Sequence, residues 1–307
     1  MSRKKLITHA KSNCFVWPAY MQQLFEPHFQ LCRFDGTMDP DSIYVIDVVE
    51  LIDKQDTSVL QWAQQLAESG HKLLINNLWE HVNTNYAWGH YLTNTNWFWY
   101  NESLWYAELG YLEYKPNRTY KQLAFMPINI PKDWRDRVVK QLAPDLDRVL
   151  YSYRNKTLPN DSPNKQTNWQ RYFHPDWYDS TYFSLVIETI EQLPSNGIPF
   201  VSEKSFKPMA LKHPFQIHGA AGTLAYIKQQ GFVTYDNLFD ESYDSLSGAD
   251  RLRKIQQNLR EFSQEPYTSE TLERIEHNHA RFFDHNLIRQ RIQQEIVNPL
   301  LEYAETR

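Results

Sequence analysis

The sequence has few glycines and cysteines and lacks a long apolar run. Only 9 of its 307 residues are glycine, and its two cysteines, Cys14 and Cys32, match no zinc or redox spacing. We therefore expect reduced thiols in a protein core. No run approaches the roughly 18 apolar residues of a membrane helix, and no basic segment followed by an apolar stretch opens the sequence. These absences predict a soluble, cytoplasmic protein that does not contact a membrane.

A phosphate loop of the form GxxxxGKS or GxxxxGKT is also missing, which disfavours a nucleotide-dependent phosphotransferase. The histidines His174, His213 and His218 have no metal-like spacing to a second ligand, so we expect them in the core or on a polar surface. Asp145 and Asp147 form a DxD pair, but they lie in a charged, helix-like segment without a preceding apolar strand. We therefore predict no metal site.

The net charge argues against a protein that binds nucleic acid over its whole surface, but it does not exclude local DNA binding. It is −5 at pH 7 and the sequence pI is about 6.1, so the whole chain is not a cationic nucleic-acid binder. A local basic groove would still fit DNA if enough cations shared one face. The residues available for it are Lys4, Lys5, Arg118, Lys121, Lys132, Arg135, Arg137, Arg154, Lys156 and Arg171.

Apolar strands alternate with amphipathic helices through the first half of the chain, a pattern that predicts parallel βαβ units. The aromatic run Trp88–Tyr114 is expected to complete the sheet and fill a domain interface, with stacking on sugars or bases as the alternative. The other predicted elements are the strand Lys4–Ile7, the amphipathic segment Trp17–Phe29, the strand Ser42–Val49, the helix Ser58–Gly70 and the strand Lys72–Asn76.

The second half continues the α/β pattern and ends in helices. The predicted elements are the strand Leu123–Pro127, the helix Asp133–Leu142 capped by Asp133, the loop Asn155–Thr167, the strand Tyr182–Glu188 and two or three helices in Ala249–Arg307. The expected fold class is therefore α/β, with a helical C-terminal tail.

The stretch Phe200–Asp244 carries the most chemistry. A short strand ending at Val201 is predicted to deliver Glu203 and Lys204 to a helix start, and the apolar run Pro214–His218 leads through Gly219 to a second helix. Parallel strands followed by helix starts bring backbone N–H groups and cations to one edge of a sheet, where phosphates bind. The stretch therefore predicts a site for a nucleoside diphosphate.

Within this stretch the residue types suit a nucleotide. A glutamate at a helix start accepts hydrogen bonds from ribose hydroxyls, and a neighbouring lysine neutralises a diphosphate. Glu203 and Lys204, with Lys207 beside them, fit these roles. The alternative interpretation is a surface ion pair between Glu203 and Lys207, four residues apart on a helix.

Glu188, the tripeptide Ser202-Glu203-Lys204 and the run from Pro214 to Gly219 together resemble phage-encoded glycosyltransferase-like proteins. Those proteins are in turn similar to the nucleotide-binding half of α1,3-fucosyltransferases. The match is clear in the second half of the chain up to Asp250. This chain departs from the fucosyltransferase pattern in the Lys-Pro that follows the tripeptide and in the GAAGTL segment, so the identity of the donor stays open.

The resemblance implies a GT-B architecture, in which two Rossmann-like domains flank a cleft and no metal or cofactor is needed beyond a nucleotide-sugar co-substrate. It implies an acceptor-side domain over residues 1–115, a nucleotide-sugar-binding domain over 116–250, and C-terminal helices over 251–307. The catalysed reaction would move a sugar from the nucleotide-sugar donor to an acceptor hydroxyl.

The resemblance also assigns roles to residues. Glu203 would hold the donor ribose and Lys204 the diphosphate, and Glu188 belongs to the matching acidic strand. The N–H groups between Gly219 and Thr223 would be auxiliary donors. Arg135 would interact with the negatively charged diphosphate as it leaves. The alternative places Arg135 on a solvated helix face with Asp133 and Arg137.

An inverting transfer needs a carboxylate base near the acceptor, which the N-terminal domain would supply. We expect Glu80, after the strand Lys72–Asn76, in this role, with Asp47 and Glu50 as competitors. The acceptor is either a glycan or a hydroxylated pyrimidine in phage DNA. A different class of function, a non-catalytic nucleotide-binding protein for regulation or assembly, would use the same donor residues.

The acidic segment Asp240–Asp244 has two interpretations. It would either contact donor or acceptor, or cap a helix start and act as an interdomain latch. Capping is the favoured interpretation, since aspartate at a helix start is a common cap.

Overall fold

The computed structural model describes residues 3–8, 19–47, 57–76, 90–92, 96–128, 130–159, 174–193 and 197–305. The chain forms two compact units, one of Met1–Tyr100 with His285–Arg307 and one of Asn101–Asp284. The domain limits at 115 and 250 stay predictions. Each unit is built on a parallel β-sheet, which confirms the expected α/β class.

The first unit contains a five-stranded sheet with the strand order β2-β1-β3-β4-β5. Its strands are β1 (Lys4–Thr8), β2 (Phe29–Arg33), β3 (Ile43–Asp47), β4 (Lys72–Asn76) and β5 (His90–Leu92), and all neighbours are parallel. Helix α1 (Ala19–Phe25) precedes β2 and helix α2 (Thr57–Glu68) precedes β4.

One face of α2 closes the first core. Trp62, Ala63 and Leu66 lie on one side of this helix, as expected for an amphipathic helix, and they pack with Tyr44 of β3 and Leu73 of β4. The end of the described chain returns to the same sheet as helix α10 (His285–Ile292), a π-helical turn (Gln293–Val297) and helix α11 (Asn298–Glu305).

Helix α11 is fastened to the first sheet by polar contacts. The Lys72 ammonium donates to the Ala304 carbonyl oxygen at 2.6 Å, and the Tyr303 hydroxyl donates to the Leu73 carbonyl oxygen at 3.1 Å. Residues far apart in the sequence therefore complete the first unit.

The second unit contains a four-stranded sheet with the order β7-β6-β8-β9, again parallel throughout. Its strands are β6 (Gln122–Pro127), β7 (Val149–Ser152), β8 (Thr181–Ile187) and β9 (Phe215–His218). The helices are α3 (Trp97–Glu108), α4 (Asp133–Leu142), α5 (Pro175–Asp179), α6 (Glu203–Ala210), α7 (Thr223–Gln229), α8 (Gly248–Glu261) and α9 (Ser269–Phe282), of which α3 begins before Asn101.

Some expected elements differ in the structure. The strand predicted to end at Val201 is absent: residues 197–202 are described and belong to no strand, and β9 pairs directly with β8. Strand β2 falls where the amphipathic segment Trp17–Phe29 ends. Asp133 is the first residue of α4 rather than its cap, a position held by Lys132 without a side-chain cap.

The aromatic run contributes β5 to the edge of the first sheet and then forms α3. Trp97, Phe98, Trp99 and Tyr100 are all buried, which agrees with core packing rather than an exposed stacking surface. Among the helices that the structure describes, none is both long and apolar enough to cross a membrane.

Arg251, near the start of α8, ties this helix to β9 although its side chain is fully buried. Its guanidinium donates to the carbonyl oxygens of Tyr243 at 2.9 Å and Ile217 at 3.1 Å, and it pairs with the Asp244 carboxylate at 3.1 Å. Burying a charge costs several kcal/mol unless it is paired and hydrogen-bonded. This arginine meets both conditions and holds the start of α8 in place.

We expect the substitution Arg251→Met to lower the free energy of unfolding by about 3–5 kcal/mol, since it leaves Asp244 and several carbonyl groups without their donor. Urea unfolding measures this loss. Arg253→Met is the control, because Arg253 is exposed and pairs with Asp250 at the surface, where an ion pair contributes about 0–1 kcal/mol. Equal losses in the two variants would contradict the role of Arg251.

Candidate functional site

The candidate site lies at the carboxyl edge of the second sheet. Since β6, β8 and β9 are parallel neighbours, the segments that follow them meet at one edge. Arg135 of α4 donates to the Glu188 carbonyl oxygen at 3.2 Å, joining the ends of β6 and β8. Lys204 of α6 donates to the Thr189 hydroxyl at 3.1 Å, joining the start of α6 to the same edge. The structure thus brings Arg135, Glu188 and Lys204 together.

Glu188 is a fully buried carboxylate that accepts four hydrogen bonds. One oxygen accepts from the Ser202 backbone N–H at 3.0 Å and the Ser205 hydroxyl at 2.6 Å; the other accepts from the Ser202 hydroxyl at 2.6 Å and the Thr189 backbone N–H at 3.1 Å. All four donors belong to the protein. Glu188 therefore fastens the start of α6 to the end of β8.

Glu203 and Lys204 form an ion pair in the first turn of α6, with 2.6 Å between Oε1 and Nζ. Ser202 caps this helix, its hydroxyl accepting from the Lys204 N–H. Burial alone would raise the pKa of the Glu203 carboxyl, but the ammonium groups of Lys204 and Lys207 lower it below its ordinary value. An ionised carboxylate and an ammonium group therefore stand side by side at a helix start.

Lys207 lies one turn further along α6 and is only 9 % exposed. Burial lowers its pKa, while the carboxylates of Glu203 and Glu102 act in the opposite direction. The interpretation of Glu203 and Lys207 as a surface ion pair is wrong, because both residues are buried. The side chain of Lys204, by contrast, is 24 % exposed.

Arg135 is buried in the first turn of α4. Its guanidinium donates to the Ile130 carbonyl oxygen at 2.9 Å and lies 5.2 Å from the centre of the Trp134 ring. Burial lowers the pKa of Arg135, an effect that the Glu188 and Glu203 carboxylates oppose. The solvated-face alternative is wrong for Arg135, although Arg137 of the same helix is exposed and pairs with Glu191.

The segment after β9 is closed by internal contacts. The Thr223 hydroxyl donates to the Ala220 carbonyl oxygen at 2.7 Å, and the N–H groups of Leu224 and Ala225 each donate to the Asp244 carboxylate at 3.0 Å. Asp244 therefore caps the N-terminus of α7. The capping part of the interpretation of Asp240–Asp244 is confirmed, and the interdomain latch stays a prediction.

Gly219 allows this segment to approach Glu188. A Cβ atom added at Gly219 would lie 3.3 Å from the Glu188 Cβ atom and 3.4 Å from the Thr223 hydroxyl oxygen. The first distance is tighter than most contacts of a Cβ atom, and the second is at the limit of ordinary van der Waals contact. Gly219 and Thr223 thus build the edge of the sheet around Glu188, and their role toward a ligand stays a prediction.

His218, the last residue of β9, is a core histidine that sequence reasoning did not place at the site. It is 1 % exposed, its ring centre is 5.8 Å from that of Trp134, and its Nε2 atom is 3.8 Å from a Glu191 carboxylate oxygen. Burial lowers the pKa of His218 to about 3, with a further contribution from Arg251 and Arg137. The ring is therefore neutral at pH 7.

The other predicted residues belong to other elements or lie outside the described residues. Glu80 and Glu50 are outside the described residues, and Asp47 is the last residue of β3 in the first sheet. Asp145, part of the DxD pair, binds Arg260 at 2.9 Å and Gln256 at 2.7 Å. Within the described ranges, His, Cys, Asp and Glu form no group of three or more that could hold a metal ion.

No protein-family model matches the chain, and no curated protein matches it. Among solved structures, the chain is similar to an α1,3-fucosyltransferase crystallised with GDP-fucose, with 11% sequence identity, coverage of 87% of this chain and 93% of that chain, and a TM-score of 0.32. Because the identity and the TM-score are this low, the similarity does not assign a function to the chain.

We expect Glu188→Gln to lower the free energy of unfolding by about 2 kcal/mol, because an amide nitrogen would replace an oxygen that accepts two hydrogen bonds. Urea unfolding without any ligand measures the change. Glu261→Gln serves as control, since Glu261 accepts from Gln257 on the exposed face of α8. No loss beyond that of the control would contradict the anchoring role.

His218 should make stability depend on pH. Its pKa is lower in the folded state than in the unfolded state, so its contribution is complete above pH 6.5 or so and falls as the pH drops toward 3. We expect His218→Asn to reduce the difference in unfolding free energy between pH 7 and pH 5 by about 2 kcal/mol. An unchanged difference would show that His218 titrates normally.

Proposed function

We propose that the chain is a glycosyltransferase that binds the nucleotide of a nucleotide-sugar donor at the start of α6. The observation that carries this proposal is the pair of Glu203 and Lys204 at a parallel-sheet edge. An ionised carboxylate and a partly exposed ammonium group stand there within 2.6 Å of each other. A nucleoside diphosphate offers a partner to each group, since it carries ribose hydroxyls and a diphosphate.

The two side chains suit different parts of such a ligand. The Glu203 carboxylate can accept hydrogen bonds from the two vicinal ribose hydroxyls, and the Lys204 ammonium can neutralise the diphosphate. In the absence of ligand these charges pair with each other. On binding, Lys204 would exchange the carboxylate for phosphate oxygens, and Glu203 would exchange the ammonium for the ribose.

The proposed reaction is a substitution at the anomeric carbon of the sugar. The acceptor oxygen forms a bond to this carbon while the bond from the carbon to the diphosphate oxygen breaks. The acceptor proton passes to a base, and the nucleoside diphosphate leaves with the bonding electrons. Negative charge grows on the leaving group, so a fixed cation at Lys204 stabilises the transition state more than the ground state.

Arg135 would also stabilise the negative charge that grows on the leaving diphosphate. Its guanidinium is bonded to the carbonyl oxygens of Ile130 and Glu188, so it would act through its fixed positive charge. Glu188, Gly219 and Thr223 would contribute by shaping the edge on which Glu203 and Lys204 stand.

The remaining parts of the proposal concern the first unit. The two parallel sheets are consistent with a GT-B enzyme, in which the first sheet would bind the acceptor and Glu80 would act as base. The acceptor would be a glycan or a hydroxylated DNA base, the latter in a phage setting. A salt-dependent gel shift on duplex DNA distinguishes these acceptors, since only the second requires DNA binding.

We expect Lys204→Ala to raise the dissociation constants of GDP and UDP by about 10- to 100-fold, because a charge-assisted bond to phosphate is worth about 1.5–3 kcal/mol. Isothermal titration calorimetry measures both. Lys254→Ala is the matched control, since Lys254 is also 24 % exposed and pairs with Asp240 at 2.6 Å. Guanosine and uridine, which lack phosphates, should bind both variants alike.

Two outcomes would contradict the proposal, one for the donor site and one for catalysis. If neither nucleotide binds the wild-type protein, the donor site is wrong. If a nucleotide binds through Lys204 but its sugar conjugates are neither hydrolysed nor transferred, the chain is the non-catalytic nucleotide-binding protein that uses the same residues.

A further inference from the structure

Three charged side chains of the second unit lie buried around the first turn of α6. Glu203 is 5 % exposed, Lys207 is 9 % exposed, and Glu102 of α3 is 2 % exposed. Glu203 and Lys207 are four residues apart on one helix, which places their side chains on the same face. Glu102 also interacts electrostatically with Lys207, and it accepts a hydrogen bond from the Asn101 amide at 3.0 Å.

The burial of Lys207 separates it from Lys204 in function. A donor phosphate reaches the partly exposed Lys204 ammonium more readily than a buried one. Moving an unpaired ammonium group out of water is costly, so a buried lysine persists where carboxylates surround it. Lys207 therefore belongs to the framework of the site rather than to its ligand-binding surface.

The proposed function requires a second cation near Glu203 that does not itself bind the donor. When Lys204 turns to a diphosphate, Glu203 loses the ammonium group that is 2.6 Å away in the ligand-free protein. A buried carboxylate that has neither a cation nor enough hydrogen-bond donors takes up a proton, and a protonated carboxyl group accepts fewer hydrogen bonds from ribose. A second cation, one that stays in place, would prevent this.

We propose that Lys207 is a positioning residue, a resident counter-ion that keeps Glu203 ionised whenever Lys204 is withdrawn from it. The inference rests on the proposed function for its biological meaning, but the charge relation itself does not require a ligand. Glu102 in turn holds Lys207 inside the protein. The charged and titratable groups that act on Glu203 are Lys204 and Lys207 of α6, Arg135 of α4, Tyr106 of α3 and Tyr178 of α5.

The test titrates the Glu203 carboxyl directly, by 13C NMR of labelled glutamate side chains with the signal assigned through Glu203→Gln. Lys204→Ala mimics the departure of Lys204, and in this variant Glu203 should keep a pKa no higher than that of an ordinary glutamate. In the double variant Lys204→Ala with Lys207→Met, the midpoint should rise by more than about one pH unit. Lys204→Ala with Lys207→Arg should restore the lower midpoint.

Lys204→Ala with Lys254→Met is the control for removing a second lysine, and it should titrate as Lys204→Ala does. If Lys207→Met does not shift the midpoint, or if Lys204→Ala alone shifts it fully, the inference is wrong. Should the methionine variant not fold, Lys207→Gln takes its place. Glu102→Gln gives an independent measurement, in which the Glu203 midpoint should fall because Lys207 then faces one carboxylate fewer.

Nucleotide binding adds a readout that separates the two proposals. With GDP and UDP as probes, Glu203 of Lys207→Met loses Lys204 on binding and has no second cation, so it should take up a proton. The ratio of the Lys207→Met dissociation constant to the wild-type value should therefore fall as the pH drops through the Glu203 midpoint of the bound variant. A ratio that does not change with pH would indicate a merely structural role. If wild type binds neither probe while the carboxyl titrations behave as expected, the proposed function fails and the charge relation holds.

Discussion

The second unit depends on the way one buried carboxylate is satisfied. Glu188 follows β8 and accepts hydrogen bonds from Thr189, Ser202 and Ser205, so the strand end and the start of α6 are joined through a single side chain. A carboxylate in this setting is stable only while its donors are present, which makes the loop path and the helix start interdependent. The orientation of Glu203 and Lys204 follows from this arrangement.

Two helices begin at the same edge of the second sheet, yet they differ in what occupies their first turns. The start of α7 is filled by the Asp244 carboxylate, which Arg251 also binds. The start of α6 carries Glu203 and a partly exposed lysine instead. One helix start is thus closed by the protein itself, and the other presents the charges that a ligand would meet.

The sequence was sufficient for elements whose signal is local. The periodicity of Lys72–Asn76 and of Asp133–Leu142 predicts β4 and α4 with the bounds that the structure has. Strand β2 was not predictable, because FQLCR carries a weak alternation and its partner, β1, lies more than twenty residues earlier. Val201 gave a false strand signal, since extended backbone forms a strand only where a neighbour is available to pair.

The same distinction applies to the candidate site. Residue types and spacing made Glu203 and Lys204 candidates, because consecutive residues determine which side chains stand at a helix start. The anchoring by Glu188 depends on donors 14 and 17 positions away, and the capping by Asp244 reaches back 20 positions. Sequence patterns do not encode such pairings, and the electrostatic interaction of Lys207 with Glu102 likewise joins residues about a hundred positions apart.

The return of the chain to the first sheet has a consequence for synthesis on the ribosome. The second unit is continuous from Asn101 to Asp284 and can acquire all its contacts in one stretch. The first unit begins with β1 but lacks α11, and with it the contacts to Lys72 and Leu73, until residues near Ala304 have been made. The unit that starts first is therefore the one that is completed last, and its unfinished sheet would be exposed to chaperones while the middle of the chain folds.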